Sequence, residues 1–520
     1  MSTFDNYLKK IGEVGHVHSV NRVLVYCSGL GGAKIGEKVY FEDEQMGFVY
    51  AIGADLTEVL LLDVDTVQLG SMVVRTGETL MVEASSDLLG KILDPFGIPL
   101  GKKVHLTNVS KRYLETPAPL IIDRVRINQN LETGVTLVDV LIPIGRGQRQ
   151  LVIGDQKTGK TNFLVQTIAR QAQLGTVCIY VFVGKKKSDL TSTIEKLKKL
   201  GAMEQTIIIA APSSIPTSLI YLAPFTAFAI AEFFKDQGRD VLLIIDEISR
   251  HAKYYRELSI LSRKMPGRDG YPGDIFYLHS HLMERAGRFL SDGDGKNKVG
   301  QTKKEEQTLT LKIEGKTSSI TCLPVVETLN GDFTGYTQTN LMSMTDGHVF
   351  FDMNQFQQGV RPAININLSV TRTGKQTHKT IERDIALKVR QILFEYTQAR
   401  DVAKFGVELI EATQDKIRIG DKLMAVFDQE SDVIVPKIVQ LLYIEMLLSG
   451  FWEESGLVEI KAHKAKILAA VHSGKIDKLI GKLQNSFDLG SLRSFEGAIL
   501  EFHIQLKQIT GGTGGSGESA

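Results

Sequence analysis

Leu151-Val-Ile153 runs straight into Gly154-Asp-Gln-Lys-Thr-Gly159-Lys160-Thr161, and Asn162-Phe-Leu-Val-Gln166 follows. The first three residues read as a short apolar strand. The next eight match G-x-x-x-x-G-K-[ST] at every fixed position, and the last five continue as a helix. A strand, a glycine-rich turn and a helix in that order form a cradle for phosphate. Glycines let successive backbone N–H groups turn inward around an anion. The helix N-terminus adds partial positive charge. Lys160 is the residue to reach the β- and γ-phosphates, and the Thr161 hydroxyl is the expected Mg2+ ligand. Gly154, Asp155, Gln156, Lys157, Thr158, Gly159, Lys160, Thr161 and Asn162 are therefore expected to bind nucleotide.

Working outward, more apolar runs of strand length alternate with helical stretches. Cys178-Ile-Tyr-Val-Phe-Val183, Ile207-Ile-Ile209 and Val241-Leu-Leu-Ile-Ile245 are apolar on both faces, as strands covered on both sides must be. That alternation predicts a parallel α/β sheet, here a P-loop nucleotide-binding domain over 94–375. Asp246 ends one such strand, where a carboxylate would hold Mg2+ through water. Glu247 comes next and is a rival candidate for positioning an attacking water. Upstream, 15–93 carries short runs such as Arg22-Val-Leu-Val-Tyr26 and Gly47-Phe-Val-Tyr-Ala-Ile52 at about ten-residue spacing, which predicts a small β-barrel. Residues 1–14 form a short leading segment. Downstream, strand signals vanish and 376–508 reads as a helical bundle, followed by a flexible Gly/Ser tail over 509–520. The polar stretch 291–317 is an insertion, expected as a loop or hairpin with a solvated surface.

Composition narrows the function. Of 520 residues, 43% are apolar and 23% charged, with a net charge of +1. That balance does not support a dedicated nucleic-acid binder. Three distant cysteines, Cys27, Cys178 and Cys322, exclude a disulfide scaffold and a CxxC zinc site. They read as buried, inert thiols. The first residues lack an apolar core of the secretory type. The longest apolar stretch, Leu219 to Ala231, contains Pro224 and is shorter than a bilayer requires, so it reads as a buried helix. The expectation is an intracellular chain with no transmembrane segment.

Longer stretches carry a resemblance. Pro143-Ile-Gly-Arg-Gly-Gln148 leads into the phosphate loop, and Tyr221-Leu-Ala-Pro-Phe225 precedes the Asp246 strand. Pro266-Gly-Arg-Asp-Gly-Tyr-Pro-Gly-Asp-Ile-Phe-Tyr-Leu-His-Ser280 is highly specific, as is Leu323-Pro-Val-Val-Glu-Thr328. Gly359-Val-Arg-Pro-Ala363, Leu368-Ser-Val-Thr-Arg372 and Glu411-Ala-Thr-Gln414 follow. Over roughly 15 to 450 the sequence resembles the alpha subunits of F-type, proton-translocating ATP synthases, in a divergent bacterial-type form.

The resemblance implies a regulatory, non-catalytic chain that binds ATP or ADP with Mg2+. Its metal ligands would be Thr161 and, through water, Asp246. It implies beta-type catalytic subunits in an alternating α3β3 ring, a gamma central stalk, peripheral-stalk delta and b subunits, and a place on the cytoplasmic face of the cell membrane. The catalytic members of this superfamily carry a Gly-Glu pair after the strand that follows the phosphate loop, and alpha subunits carry Gly-Gln. Here Gly184 is followed by Lys185. A protonated lysine cannot serve as a base, so Lys185 either touches the nucleotide or points to solvent. Arg372 corresponds to the arginine that reaches a neighbouring catalytic site. Phe356, Arg361, Pro362 and Gln429 are placed near the adenine, and Phe405 to Glu411 near the rotor. The other reading is a self-sufficient homo-hexameric P-loop ATPase, a translocation motor or helicase with Glu247 as its base.

Overall fold

The computed structural model describes residues 2–63, 67–101, 104–290, 316–404, 410–489, 492–501 and 503–510. The β-type core expected near Thr308, the rotor segment 405–409 and the tail from 511 lie outside these residues. The chain forms two compact units. One comprises Met1–Arg126, Arg146–Gln156 and Gln171–His348; the other comprises Ile127–Gly145, Lys157–Arg170 and Val349–Ala520. These units do not follow the barrel, α/β and helical order along the chain.

In the first unit a capped helix, Thr3–Ile11, opens the chain, with the Ser2 hydroxyl accepting from Asp5 N–H. Six strands then close into a barrel in the order Val14–Asn21, Leu24–Ser28, Thr57–Leu61, Met46–Ile52, Glu37–Phe41, Met72–Thr79. Alternate residues face inward: Val39 and Phe41 are buried while Lys38 and Tyr40 between and beside them are half-exposed. Closure leaves no unpaired edge. Glu37 is buried at one rim, where Arg75 satisfies it with two hydrogen bonds of 3.0 Å.

The same unit holds a parallel sheet ordered Leu151–Asp155, Thr317–Thr328, Val241–Asp246, Val177–Val183, Thr206–Ala211, Ile92–Leu93. Gly287–Leu290 adds an antiparallel partner to Thr317–Thr328. Every residue of the strands Leu151–Asp155, Val177–Val183, Thr206–Ala211 and Val241–Asp246 is buried. Helix Thr217–Asp236 packs on the sheet, and Pro224 falls inside it. Among the described residues it is the one helix long and apolar enough to cross a membrane, yet 83% of its apolar window is buried in protein. It is a core helix, as its sequence implied. Cys27, Cys178 and Cys322 are buried and in no disulfide, and burial raises all three thiols, Cys27 to about 12.

Two details differ from the sequence reading. Ile92–Leu93, placed with the barrel, pairs in parallel with Thr206–Ala211 in the large sheet. The long strand Thr317–Thr328 lies inside that sheet, between Leu151–Asp155 and Val241–Asp246, although Pro324 sits within it. A proline has no N–H to give a ladder. Here the ladder to the phosphate-loop strand starts one residue later, at Val325 opposite Val152.

In the second unit, helices Thr380–Lys404, Glu411–Phe427, Lys437–Leu448 and Leu457–His472 surround a core that includes Ile385, Leu423, Leu442, Trp452 and Ile467. Lys464 is buried and donates to the carbonyls of Ala425, Val426 and Asp428, closing the C-terminal end of Glu411–Phe427. The last helix runs His503–Thr510.

Candidate nucleotide-binding site

The phosphate loop has the backbone that its sequence demands. Strand Leu151–Asp155 enters it, and helix Lys160–Gln173 leaves it. Lys157 and Gly159 take left-handed φ values of 62° and 102°. A positive φ at a non-glycine residue is uncommon and marks a backbone held for a purpose. At Gly159 an added Cβ would meet no atom within 4 Å, so the backbone of the turn is uncovered there. Thr158 and Lys160 are buried, Thr161 and Asn162 are half-buried, and Gln156 is exposed. Asp155 turns away from the cradle: its carboxylate accepts from the Thr328 hydroxyl and from Gly331 N–H. The uncovered turn and the helix N-terminus behind it fit the phosphates of ATP or ADP.

Asp246 reaches the same edge of the sheet. Its strand and the phosphate-loop strand lie on either side of Thr317–Thr328, and all three run parallel. Their carboxyl ends therefore share one edge, where open α/β sheets bind ligands. Asp246 is 1% exposed. Lys185 Nζ lies 2.5 Å from Asp246 Oδ1, and the Tyr180 hydroxyl donates to Oδ2. Burial and the neighbouring Asp246 push the Tyr180 phenol well above its ordinary value, so it stays a donor. Lys185 does not point to solvent: one of its donors is held by the Asp246 carboxylate. Each Asp246 oxygen already accepts a hydrogen bond, and the Lys185 ammonium stands beside Oδ1, where a metal ion would bring its counter-charge. The Thr161 hydroxyl, half-buried at the helix start, stays compatible with a metal.

Glu247, the rival base, is 1% exposed. The Ser249 hydroxyl donates to Oε1 at 2.8 Å and Arg250 Nε to Oε2 at 3.0 Å. Burial, then the charge of Glu327, raises its carboxyl to about 7. Arg250 also donates to Gly184 O and lies 3.8 Å from Glu327, which accepts from Gln156 Nε2. Tyr180, Arg250 and Glu327 are thus part of the cluster but were not singled out from sequence. Tyr180 alone offered a signal, as a hydroxyl inside an otherwise apolar strand.

In the second unit, Arg361 lies over the Phe356 ring, its guanidinium carbon 3.8 Å from the centroid. Arg361 Nη1 donates to the carbonyls of Phe356 and Val360, and Pro362 follows. Gln429 N–H donates to Arg361 O, which gathers Phe356, Arg361, Pro362 and Gln429 in one place. The Gln429 side chain, however, is consumed internally. Its oxygen accepts from Thr136 N–H and Oγ1 at 3.1 Å, and its nitrogen donates to Gly134 O and Val433 O. An amide with both ends satisfied has little left for a base. Arg372 follows the strand Val370–Thr371, is exposed, and has no hydrogen-bond or ion-pair partner among the described residues.

Sequence relatives agree with this geometry. The model of the ATP synthase alpha/beta family, nucleotide-binding domain, matches residues 134–371. The model of the ATP synthase alpha/beta chain, C terminal domain, matches 378–494. The chain belongs to the ATP synthase alpha/beta family. It is 40% identical over 418 residues to ATP synthase subunit alpha of Caldanaerobacter subterraneus subsp. tengcongensis, covering 80% of this chain and 78% of that one. It is 34% identical over 504 residues to ATP synthase subunit alpha of Staphylococcus aureus strain Newman, covering 96% of each. It is a nucleotide-binding chain of the alpha type, built as a closed barrel, a parallel nucleotide-binding sheet and a helical C-terminal region.

Proposed function

We propose that this chain is the non-catalytic, nucleotide-holding member of the head of a proton-translocating ATP synthase at the cytoplasmic face of the cell membrane. It alternates with beta-type catalytic subunits in an α3β3 ring around a gamma central stalk, with delta and b subunits as peripheral-stalk contacts. ATP or ADP is held by the phosphate loop, with the Phe356, Arg361 and Pro362 group toward the base. Arg372 serves the neighbouring beta-type site. The Thr161 hydroxyl is the group open to Mg2+, while at Asp246 the Lys185 ammonium and the Tyr180 hydroxyl each donate to one oxygen.

The observation that supports a non-catalytic role is the state of the carboxylates at the sheet edge. Hydrolysis needs a carboxylate aimed at a water. Lys185 stands where a Glu would be, and Glu247 is closed off by Ser249 and Arg250. The self-sufficient motor reading would need Glu247 free. The test is ATP turnover and ATP binding measured on the same purified chain. We expect binding that Lys160→Ala weakens at least about 100-fold, with turnover far below ~1 s⁻¹. Turnover near that rate, abolished by Glu247→Gln, would sink the proposal.

A further inference from the structure

The strand-end cluster has two cations of its own. Lys185 serves Asp246, and Arg250 serves Glu247 and Glu327. Lys185 Nζ stands 2.5 Å from Asp246 Oδ1, and Arg250 stands 3.0 Å from Glu247 and 3.8 Å from Glu327. Among the described residues, no buried side-chain oxygen in this cluster lacks a partner. No group of three or more potential metal-ligating His, Cys, Asp or Glu side chains occurs among them either. A divalent ion bound directly at Asp246 would have to displace a half-buried ammonium from a 2.5 Å contact. Mg2+ is a poor candidate for that exchange, because it demands near-octahedral oxygen ligands and dehydrates reluctantly.

We infer that Lys185 is a built-in replacement for the divalent cation at Asp246, so that this chain holds ATP or ADP without needing Mg2+. The inference rests on the reading above that the phosphate loop binds nucleotide. Its chemistry is direct. A lysine ammonium carries three donors on a flexible stem, and Asp246 uses one of them. The ammonium lies on the strand-end edge from which the phosphate loop springs. It brings positive charge there by covalent attachment, where a metal would have to be recruited from solution. Asp246, itself accepting from the Tyr180 hydroxyl, holds the ammonium in place. A glutamine at 185 is neutral, and the carboxylate would then call for a metal counter-charge.

Equilibrium dialysis of ATP against the full chain, in excess Mg2+ and in excess EDTA, tests this. For the wild type we expect affinities within about threefold of each other in the two buffers. Lys185→Gln should bind ATP in Mg2+ but lose at least about tenfold in EDTA. A parallel measurement follows Mn2+ by water proton relaxation. Lys185→Gln with ATP should take up Mn2+ more tightly than the wild type with ATP. A wild-type chain that loses tenfold or more in EDTA overturns the inference, as does a Lys185→Gln chain indistinguishable from wild type in both assays. ATP that fails to bind in either buffer, with Lys160→Ala making no difference, overturns the phosphate-loop reading instead.

Discussion

Glu247 shows how one residue's environment sets its chemistry. Its carboxyl is held at about 7 against an ordinary value of 4.5, by burial first and by Glu327 second, with Lys185 and the Ser249 hydroxyl pulling the other way. Between those two values the folded chain keeps a proton that the unfolded chain releases. The stabilising contribution is therefore complete below about 4.5 and is lost as pH rises through about 7. A shift of this size corresponds to roughly 3 kcal/mol across the window. Glu247→Gln should keep the packing, since an amide oxygen can accept from Arg250 and the amide nitrogen can donate to Ser249. We expect urea midpoints of the variant to fall less between pH 4.5 and 8 than those of the wild type (roughly the span of the titration). Asp139 and Glu445 are also raised by burial, each to about 6, so the comparison is the wild-type minus variant difference, in which they cancel. Equal slopes would mean that Glu247 is ionised throughout. His251 works with the opposite sign. Burial lowers it to about 4, so its contribution is present above 6.5 and is lost as pH falls through about 4.

At the scale of elements, close approach between helices depends on single glycines. Gly420 lies in helix Glu411–Phe427, and a Cβ there would sit 2.0 Å from Tyr396 Cδ2 and 2.7 Å from Tyr396 Cβ, on helix Thr380–Lys404. The second contact matters, because ring rotation cannot relieve a clash with the Cβ itself. Gly420→Ala should gain about 1 kcal/mol of helix propensity and lose about 1–3 kcal/mol to overpacking. A net fall in thermal midpoint is expected, and Tyr396→Ala in the same chain should recover part of it, because the two sites share one contact. Additive losses would show that the helices simply move apart. The elements were unevenly legible in the sequence. Strands such as Val241–Asp246 announced themselves by continuous apolar runs bounded by charge. Thr317–Thr328 did not, because Pro324 and the polar residues Ser318, Ser319 and Thr321 break the apolar pattern, although all of these are buried. The phosphate loop was legible because its backbone conformation requires particular residue types. The Lys185–Asp246 pair was not, because 61 positions separate its members and only the sheet brings their strands side by side. The partners of Gln429 were hidden for a related reason: the sequence shows an amide but not the backbone of 134–136 that hydrogen-bonds to it.

At the scale of the whole molecule, Arg372 stands out: it has no hydrogen-bond or ion-pair partner among the described residues. Thr371 is anchored by donating to Pro143 O, so the backbone just before Arg372 is fixed while the guanidinium is exposed. An anchored backbone and an unspent cation suit a group that completes another subunit's site. Heterologous contacts that close into a ring place the same face of every copy against a different neighbour, and one arginine per alpha-type chain then serves one catalytic site. The guanidinium presents planar donors that match a phosphoryl group, which an ammonium cannot reproduce. In a ring reconstituted with a beta-type partner, Arg372→Ala should reduce ATP turnover by on the order of 10³ or more. Arg372→Lys should recover little of it. The loss should appear in kcat with KM nearly unchanged, because the arginine meets charge that develops during transfer. Co-elution of the two chains on size exclusion distinguishes lost chemistry from lost assembly. If the variant ring assembles and turns over at the wild-type rate, Arg372 is a surface residue and the catalytic cation must come from the beta-type chain itself.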